Sequence, residues 1–157
     1  YSAGTFIFKV VTSLVHHSQS RKHGCTIVVD LDPEPVAISG QVLSPPLDLR
    51  KPYMLKMAKS LAKVDGALHI GADLHLHGFA CLLDGRSFQG EDLARGARYN
   101  SALRFTAEHP NIIVVVVSSD RPVSVIHQGV DVHGSCSWDR KSGCLYDLER
   151  LDHWVGQ

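Results

Sequence analysis

The sequence predicts an α/β domain, with a central mixed, twisted β-sheet flanked by helices, and three observations predict it. Two short apolar runs, Cys25 to Val29 and Ile112 to Val117, are dominated by β-branched residues, as in strands buried on both faces. Apolar residues recur at helical spacing from Tyr1 to His17 and again from Met54 to Leu61. Glycines and prolines punctuate these segments, so helical and extended stretches alternate along the chain. At 157 residues the chain suits a single domain that buries roughly two-thirds of its unfolded surface.

In chain order, Ile7, Val10, Val11 and Leu14 set one face of a first helix, with Lys9, Thr12 and Ser13 between them. His16 and His17 fall at its end, where partial positive charge is favourable. Gly24 closes a polar stretch before the strand Cys25 to Val29, which Pro33 and Pro35 terminate. Residues 39–52, with Gly40, Pro45, Pro46 and Pro52, read as a loop arriving at a helix start. The following helix carries Met54, Met57, Ala58 and Leu61 as its core stripe, with Lys56, Lys59 and Lys63 in water. Strands Ala67 to Ile70 and Leu74 to Leu83 flank a tight turn at Gly71-Ala72-Asp73. A loop over 84–95 has the length that often carries function. A helix from Ala97 to Glu108, the strand Ile112 to Val117 and a short strand Val123 to His127 complete an expected domain over 1–130. The extension 131–157 reads as a hairpin or irregular segment around Asp139 to Gly143, then a short helix from Asp147 to Trp154.

Composition removes several function classes. Lysine plus arginine and aspartate plus glutamate both number 16, so there is no basic footprint for a nucleic-acid tract and no polybasic membrane signal. The longest apolar run, Ile112 to Val117, is far too short to span a bilayer. Tyr1 stands where an initiator methionine would, which suggests a trimmed or excised chain, and no secretory signal opens it. The four cysteines, Cys25, Cys81, Cys136 and Cys144, are widely spaced and fit reduced, buried thiols in a cytoplasmic protein. There is no Gly-x-Ser-x-Gly elbow, no Walker loop and no Gly-x-Gly-x-x-Gly fingerprint. His75 and His77 share one strand face, best read as exposed rather than metal-binding. His133, Cys136, Cys144 and His153 match no strong zinc-finger spacing, so zinc is not expected.

Chemistry concentrates in two motifs. Asp65-Gly66-Ala67 sits at a strand start, where the carboxylate can bind a divalent cation or orient a ribose hydroxyl and the small residues let a nucleotide lie on backbone. Gly96-Ala97-Arg98-Tyr99-Asn100 opens a helix. Glycine lets backbone approach a phosphate, first-turn N–H groups are unpaired, and the helix dipole adds positive potential. Arg98 contributes a planar, permanently charged fork matched to phosphate oxygens.

In order and spacing these motifs resemble the diadenylate cyclase domain, the nucleotide-binding domain of the bacterial DNA-integrity scanning protein. The resemblance covers about Ser20 to Gln128. Its pattern is Asp-Gly-Ala, then Gly-Thr-Arg-His-Arg opening a helix, then a strand ending Val-Ser-Glu-Glu. This chain offers Asp65-Gly66-Ala67, then Gly96-Ala97-Arg98-Tyr99-Asn100-Ser101-Ala102, then Val117-Ser118-Ser119-Asp120. The family joins two ATP molecules into cyclic di-AMP with Mg²⁺ or Mn²⁺ between two facing protomers. By position the resemblance implies a diadenylate cyclase-like fold, with Asp65 for metal and the 3′-hydroxyl, and Gly96 and Arg98 for phosphates. It further implies Ser118 and Ser119 beside the phosphates, Asp120 as a second metal carboxylate and Cys81 to Leu83, Leu83 above all, near the adenine. Ala97, Tyr99 and Asn100 occupy the remaining nucleotide positions but depart from the pattern, as does Ser119, and with them go a hydroxyl, an arginine charge and an acid. Such losses weaken transition-state stabilisation more than ligand binding. The expected function is therefore a diverged nucleotide-binding domain, a bacterial ligand-sensing module for ATP or a cyclic dinucleotide, fused to an effector and able to pair as a homodimer. An active cyclase is the alternative, and a structural interaction domain without nucleotide the third.

Overall fold

The computed structural model describes residues 3–87, 91 and 93–132. Their seven strands form one mixed sheet in the order β2-β4-β3-β1-β5-β6-β7. The elements are α1 (Ala3–Ser20), β1 (Cys25–Asp30), β2 (Gln41–Asp48), α2 (Pro52–Leu61), β3 (Ala67–Gly71), β4 (His75–Cys81), α3 (Ala97–Glu108), β5 (Ile112–Val117), β6 (Ser124–His127) and β7 (Val130–Asp131). A 3₁₀ turn, Leu93–Arg95, precedes α3. β1 lies centrally, parallel to β3 with Thr26 opposite Ala67, and antiparallel to β5 with Cys25 opposite Val117.

Alternation along the central strands divides the core into two layers. Ile27, Val29, Leu68, Ile70, Ile113, Val115 and Val117 meet Ile7, Val10, Val11 and Leu14 of α1 and Ala58 of α2. Val28, Ala67, Cys81, Val114 and Val116 face Ala102, Leu103 and Phe105 of α3 on the other side. With both faces covered, every residue of β1 and β5 is buried, which is why their sequences read as continuous apolar runs.

Three expectations are corrected. Residues 39–52 hold a strand, β2, despite Pro45 and Pro46. β2 pairs only with β4, so its outer N–H groups have no ladder to complete, and the register shifts between Val42 and Leu47, across the prolines. In α2 the core stripe is rotated: Ala58 and Ala62 are buried with Leu55 and Leu61 packed against the core, whereas Met57 is 49% exposed. The run of apolar residues fits either rotation, and the small alanines allow the close approach to α1. The first helix also continues past His17 to Ser20. Burial, and the charges of Arg21 and Lys59, push the His17 pKa down, so it is not a favoured cation at the helix end.

At the carboxyl end of β1 a polar cluster closes the α3 face. Asp30, fully buried, accepts hydrogen bonds from His69 Nε2 at 2.8 Å and from the N–H groups of Val36 at 2.9 Å and Asp32 at 3.0 Å. Burial pushes its carboxyl up, but the His69 bond and the two backbone donors outweigh this and hold it below the ordinary value. Next to it, His77 Nε2 meets Asp73 at 2.9 Å, while His75 Nδ1 lies 2.8 Å from the Asp73 carbonyl. His75 and His77 thus share a face, as expected, and are half-buried around one carboxylate. Cys25 and Cys81 are free, buried thiols. Among the described residues no helix is long and apolar enough to cross a membrane. The expected tail elements and the set His133, Cys136, Cys144 and His153 lie outside the described residues.

Candidate functional site

At the opposite end of the sheet, between its α3 face and the start of α3, lies a cavity of about 230 Å³. The amino ends of the parallel pair supply Thr26, Asp65, Gly66 and Ala67. The end of β4 supplies Cys81, Leu82 and Leu83, and α3 closes the space with Ala97, Arg98 and Ser101. The two sequence motifs therefore meet across one cavity. The walls are largely apolar, and burial raises the Cys81 thiol pKa, so that wall is uncharged at neutral pH.

Two glycines shape the site. Gly66 has φ +109°, and a Cβ there would lie 2.5 Å from the Ala80 carbonyl carbon, so both conformation and space demand glycine. Gly96 caps α3 with φ 91° and ψ 173°, no side chain caps the helix, and nothing lies within 4 Å of a Cβ built there. Only the backbone angles require glycine at 96, and the space beside the first-turn N–H groups is open.

Charge at the cavity comes from Asp65 and Arg98. The Asp65 side chain is fully exposed at the mouth, with Arg98 Nη2 at 3.8 Å from its Oδ1. Arg98 is itself half exposed and makes no hydrogen bond among the described residues. Its donors are therefore available to an anion.

The remaining candidates separate. Tyr99 turns away from the cavity: its hydroxyl donates to Asp131 Oδ2 at 3.2 Å, and the Arg95 guanidinium stacks 4.3 Å from its ring centroid. Asn100 is buried and donates from Nδ2 to the Gly96 carbonyl at 3.0 Å, lining an adjoining depression with Ser101 and Arg104. Ser118, Ser119 and Asp120 line another depression beyond β5, with Gln19 and Arg121. The two carboxylates expected to share a metal, Asp65 and Asp120, thus line different depressions. Among the described residues no three His, Cys, Asp or Glu side chains converge on a metal position. A lone carboxylate still fits Mg²⁺ or Mn²⁺ held mainly by ligand phosphates and water.

Cys81, Leu82 and Leu83 line one wall, while Thr26 and Ser101 are wall residues that were given no expected role. Helical geometry carried a signal for one of them: Ala97, Arg98 and Ser101 share a face at 100° per residue, while Tyr99 falls opposite. Thr26 is the one polar residue of the run Cys25 to Val29, on the same face as Val28.

A mixed seven-stranded sheet covered by helices on both faces defines an α/β domain, with a cavity where a glycine-led helix opens. Residues 13–130 match the profile of the DAC family, DisA bacterial checkpoint controller nucleotide-binding, and the chain belongs to that family. A double mutant of DacA from Staphylococcus aureus shares the fold with a TM-score of 0.60 at 18% identity, over 96% of each chain. The hypothetical membrane spanning protein from Bacillus cereus gives a TM-score of 0.58 at 19% identity over 78% of this chain and 60% of that one. This chain therefore spans less than two-thirds of the Bacillus protein's length. No curated protein matches the sequence.

Proposed function

We propose that the cavity holds a nucleotide and that the chain works as a ligand-sensing module rather than an efficient cyclase. The observation that carries this reading is the meeting of Asp65-Gly66-Ala67 with Ala97 and Arg98 across one cavity, while Tyr99 and Asn100 are engaged elsewhere. The base lies against Ala67, Cys81 and Leu83, and the phosphates face the start of α3 and Arg98. A divalent cation, where the ligand brings one, is held by Asp65 together with phosphate oxygens.

Binding and catalysis make different demands on this arrangement. One charged hydrogen bond adds about 1.5–3 kcal/mol, enough with an apolar base seat to retain a ligand. Cyclisation must stabilise charge that develops at phosphorus, where each preorganised donor matters by about 10²–10³ in rate. Ala97 carries no hydroxyl, Tyr99 faces Asp131, and Asn100 is bonded to Gly96.

Thermal shift against ATP and cyclic di-AMP, with and without Mn²⁺, tests the reading. A ligand at a hundredfold its dissociation constant stabilises the domain by about 2.7 kcal/mol. Stabilisation that Arg98→Ala removes supports it; no shift from any nucleotide refutes it. Formation of cyclic di-AMP from ATP and Mn²⁺, lost in Asp65→Asn, would replace the sensor by an active cyclase.

A further inference from the structure

We propose that Gly24 is a positioning residue for Arg98: its missing side chain leaves the shelf on which the guanidinium rests facing the cavity. The inference deepens the nucleotide-site reading and rests on it for its functional consequence. Gly24 lies one residue before β1, and its φ is outside the left-handed range, so the backbone there accepts any residue. What glycine supplies at this position is room, and Arg98 fills that room. A Cβ on Gly24 would overlap Arg98 Nη1, lie 3.3 Å from its Cζ and sit 3.0 Å from the Val117 carbonyl oxygen.

The reach of the side chain explains why the shelf matters. Arg98 is the second residue of α3, on the other side of the cavity wall from the β1 entry. Its guanidinium crosses to the ends of β1 and β5 and stays near enough to Cys25 for its charge to act on that thiol. Among the described residues no hydrogen bond fixes it, and its one ionic neighbour is Asp65 at 3.8 Å. Its position is therefore set by shape, by the bare backbone of Gly24 beneath it and the Asp65 carboxylate beside it. A methyl group at 24 meets the far end of a flexible side chain, so the arginine yields before the sheet does. The Val117 contact needs only a few tenths of an ångström of relief. The displaced cation then leaves the side of the cavity where the phosphates are proposed to lie.

The experiment is a double-mutant cycle on nucleotide affinity, with cyclic di-AMP and ATP as probes, over Gly24→Ala, Arg98→Ala and the double variant. Losing one charge-assisted contact weakens binding about 10- to 100-fold. Gly24→Ala is expected to weaken binding at least fivefold, on the order of a charged contact partly lost. The double variant is expected to bind no more weakly than Arg98→Ala alone, because the two changes act through one group. Wild-type affinity in Gly24→Ala, or losses that simply multiply in the double variant, overturns the proposal. A second readout needs no ligand. The Arg98 Nε–Hε NMR resonance, assigned by its disappearance in Arg98→Ala, is expected to move in Gly24→Ala, and an unmoved resonance overturns the proposal. If the wild type binds no nucleotide, the site reading fails while this resonance still decides the role of Gly24. If Gly24→Ala fails to fold, the double variant decides: recovery of folding supports a clash with Arg98, and no recovery places the clash at Val117 and refutes the shelf.

Discussion

Replacing Gly96 with alanine isolates backbone strain from steric conflict. At φ 91° and ψ 173° the residue occupies a region that is essentially glycine's own, and an L-residue held there costs about 1–3 kcal/mol. Nothing lies within 4 Å of the added Cβ, so no clash contributes. Alanine also removes conformational freedom from the unfolded chain, which returns about 0.4–1 kcal/mol. The middle of each range, about 2 less about 0.7, leaves a net loss of about 1.3 kcal/mol. For a domain of this size each kcal/mol lowers Tm by about 2–4 °C, so Gly96→Ala should melt about 3–5 °C below the parent. Gly66→Ala is the calibrating partner. It shares the positive φ, at +109°, and adds a contact of 2.5 Å to the Ala80 backbone. Overpacking of that kind adds about 1–3 kcal/mol, so Gly66→Ala must be the more damaging variant. Urea unfolding of the two variants beside the parent measures both losses. Gly96→Ala as stable as the parent, or Gly66→Ala milder than Gly96→Ala, would refute the assignment of strain.

Asp30→Ala leaves the buried His69 and two partly buried N–H groups without their acceptor, and breaking such a buried pair costs about 3–5 kcal/mol in denaturant titration. The native Asp30 pKa is lowered, so its contribution is complete above the ordinary carboxylate value of about 3.9 and drains away as pH falls through the native value. Asp30→Asn should accordingly flatten the acid limb of the stability–pH curve, and an unchanged limb counts against the pairing. Asp65→Asn should leave the ligand-free Tm within the scatter of a surface change, about 0.5 kcal/mol, yet abolish any Mn²⁺-dependent part of the nucleotide shift. Ala97→Thr puts a hydroxyl on the cavity wall and should tighten phosphate binding by up to about tenfold, one neutral hydrogen bond. Tyr99→His should not tighten it, and should instead lose the Asp131 bond and the Arg95 stacking. A greater gain in affinity from position 99 than from position 97 would mean that the start of α3 is rotated otherwise.

What the sequence discloses here follows from how local each cause is. The β1 and β5 runs are readable because strands covered on both faces must be apolar throughout. Gly96 is readable as a helix entry because its conformation is a property of one residue. β2 is hidden because prolines normally exclude a strand, and only its edge position, a fact of tertiary order, makes them harmless. The α2 rotation is hidden for the same kind of reason: Met57 and Leu55 are equally apolar, and the neighbouring α1 decides which faces in. At the site, Asp65, Gly66, Ala67, Leu83, Ala97 and Arg98 come together as the motifs suggest. Tyr99 and Asn100 do not, because a motif is linear and a helix turns 100° per residue. Gly24 gives no signal in sequence at all, since its meaning depends on an arginine 74 positions away in the chain.

The departures from the cyclase pattern are more than deletions of ligand contacts. Asn100 ties its amide to the Gly96 carbonyl, so the glycine entry of α3 is braced from within its own first turn. Tyr99 connects the same turn to Asp131 on β7 and, through Arg95, to Ser124 on β6. Tyr99 thus holds the helix start against the sheet, and Asn100 braces the turn itself. On the sensing reading proposed above, a braced helix start lowers the ordering cost of binding, while an amide and a hydroxyl already bonded to the protein are not aimed at charge developing on phosphate. A ligand that settles against Ala97 and Arg98 touches a turn bonded to β7 and, through Arg95, to β6. Tyr99 therefore ties the turn that opens onto the cavity to the far edge of the sheet.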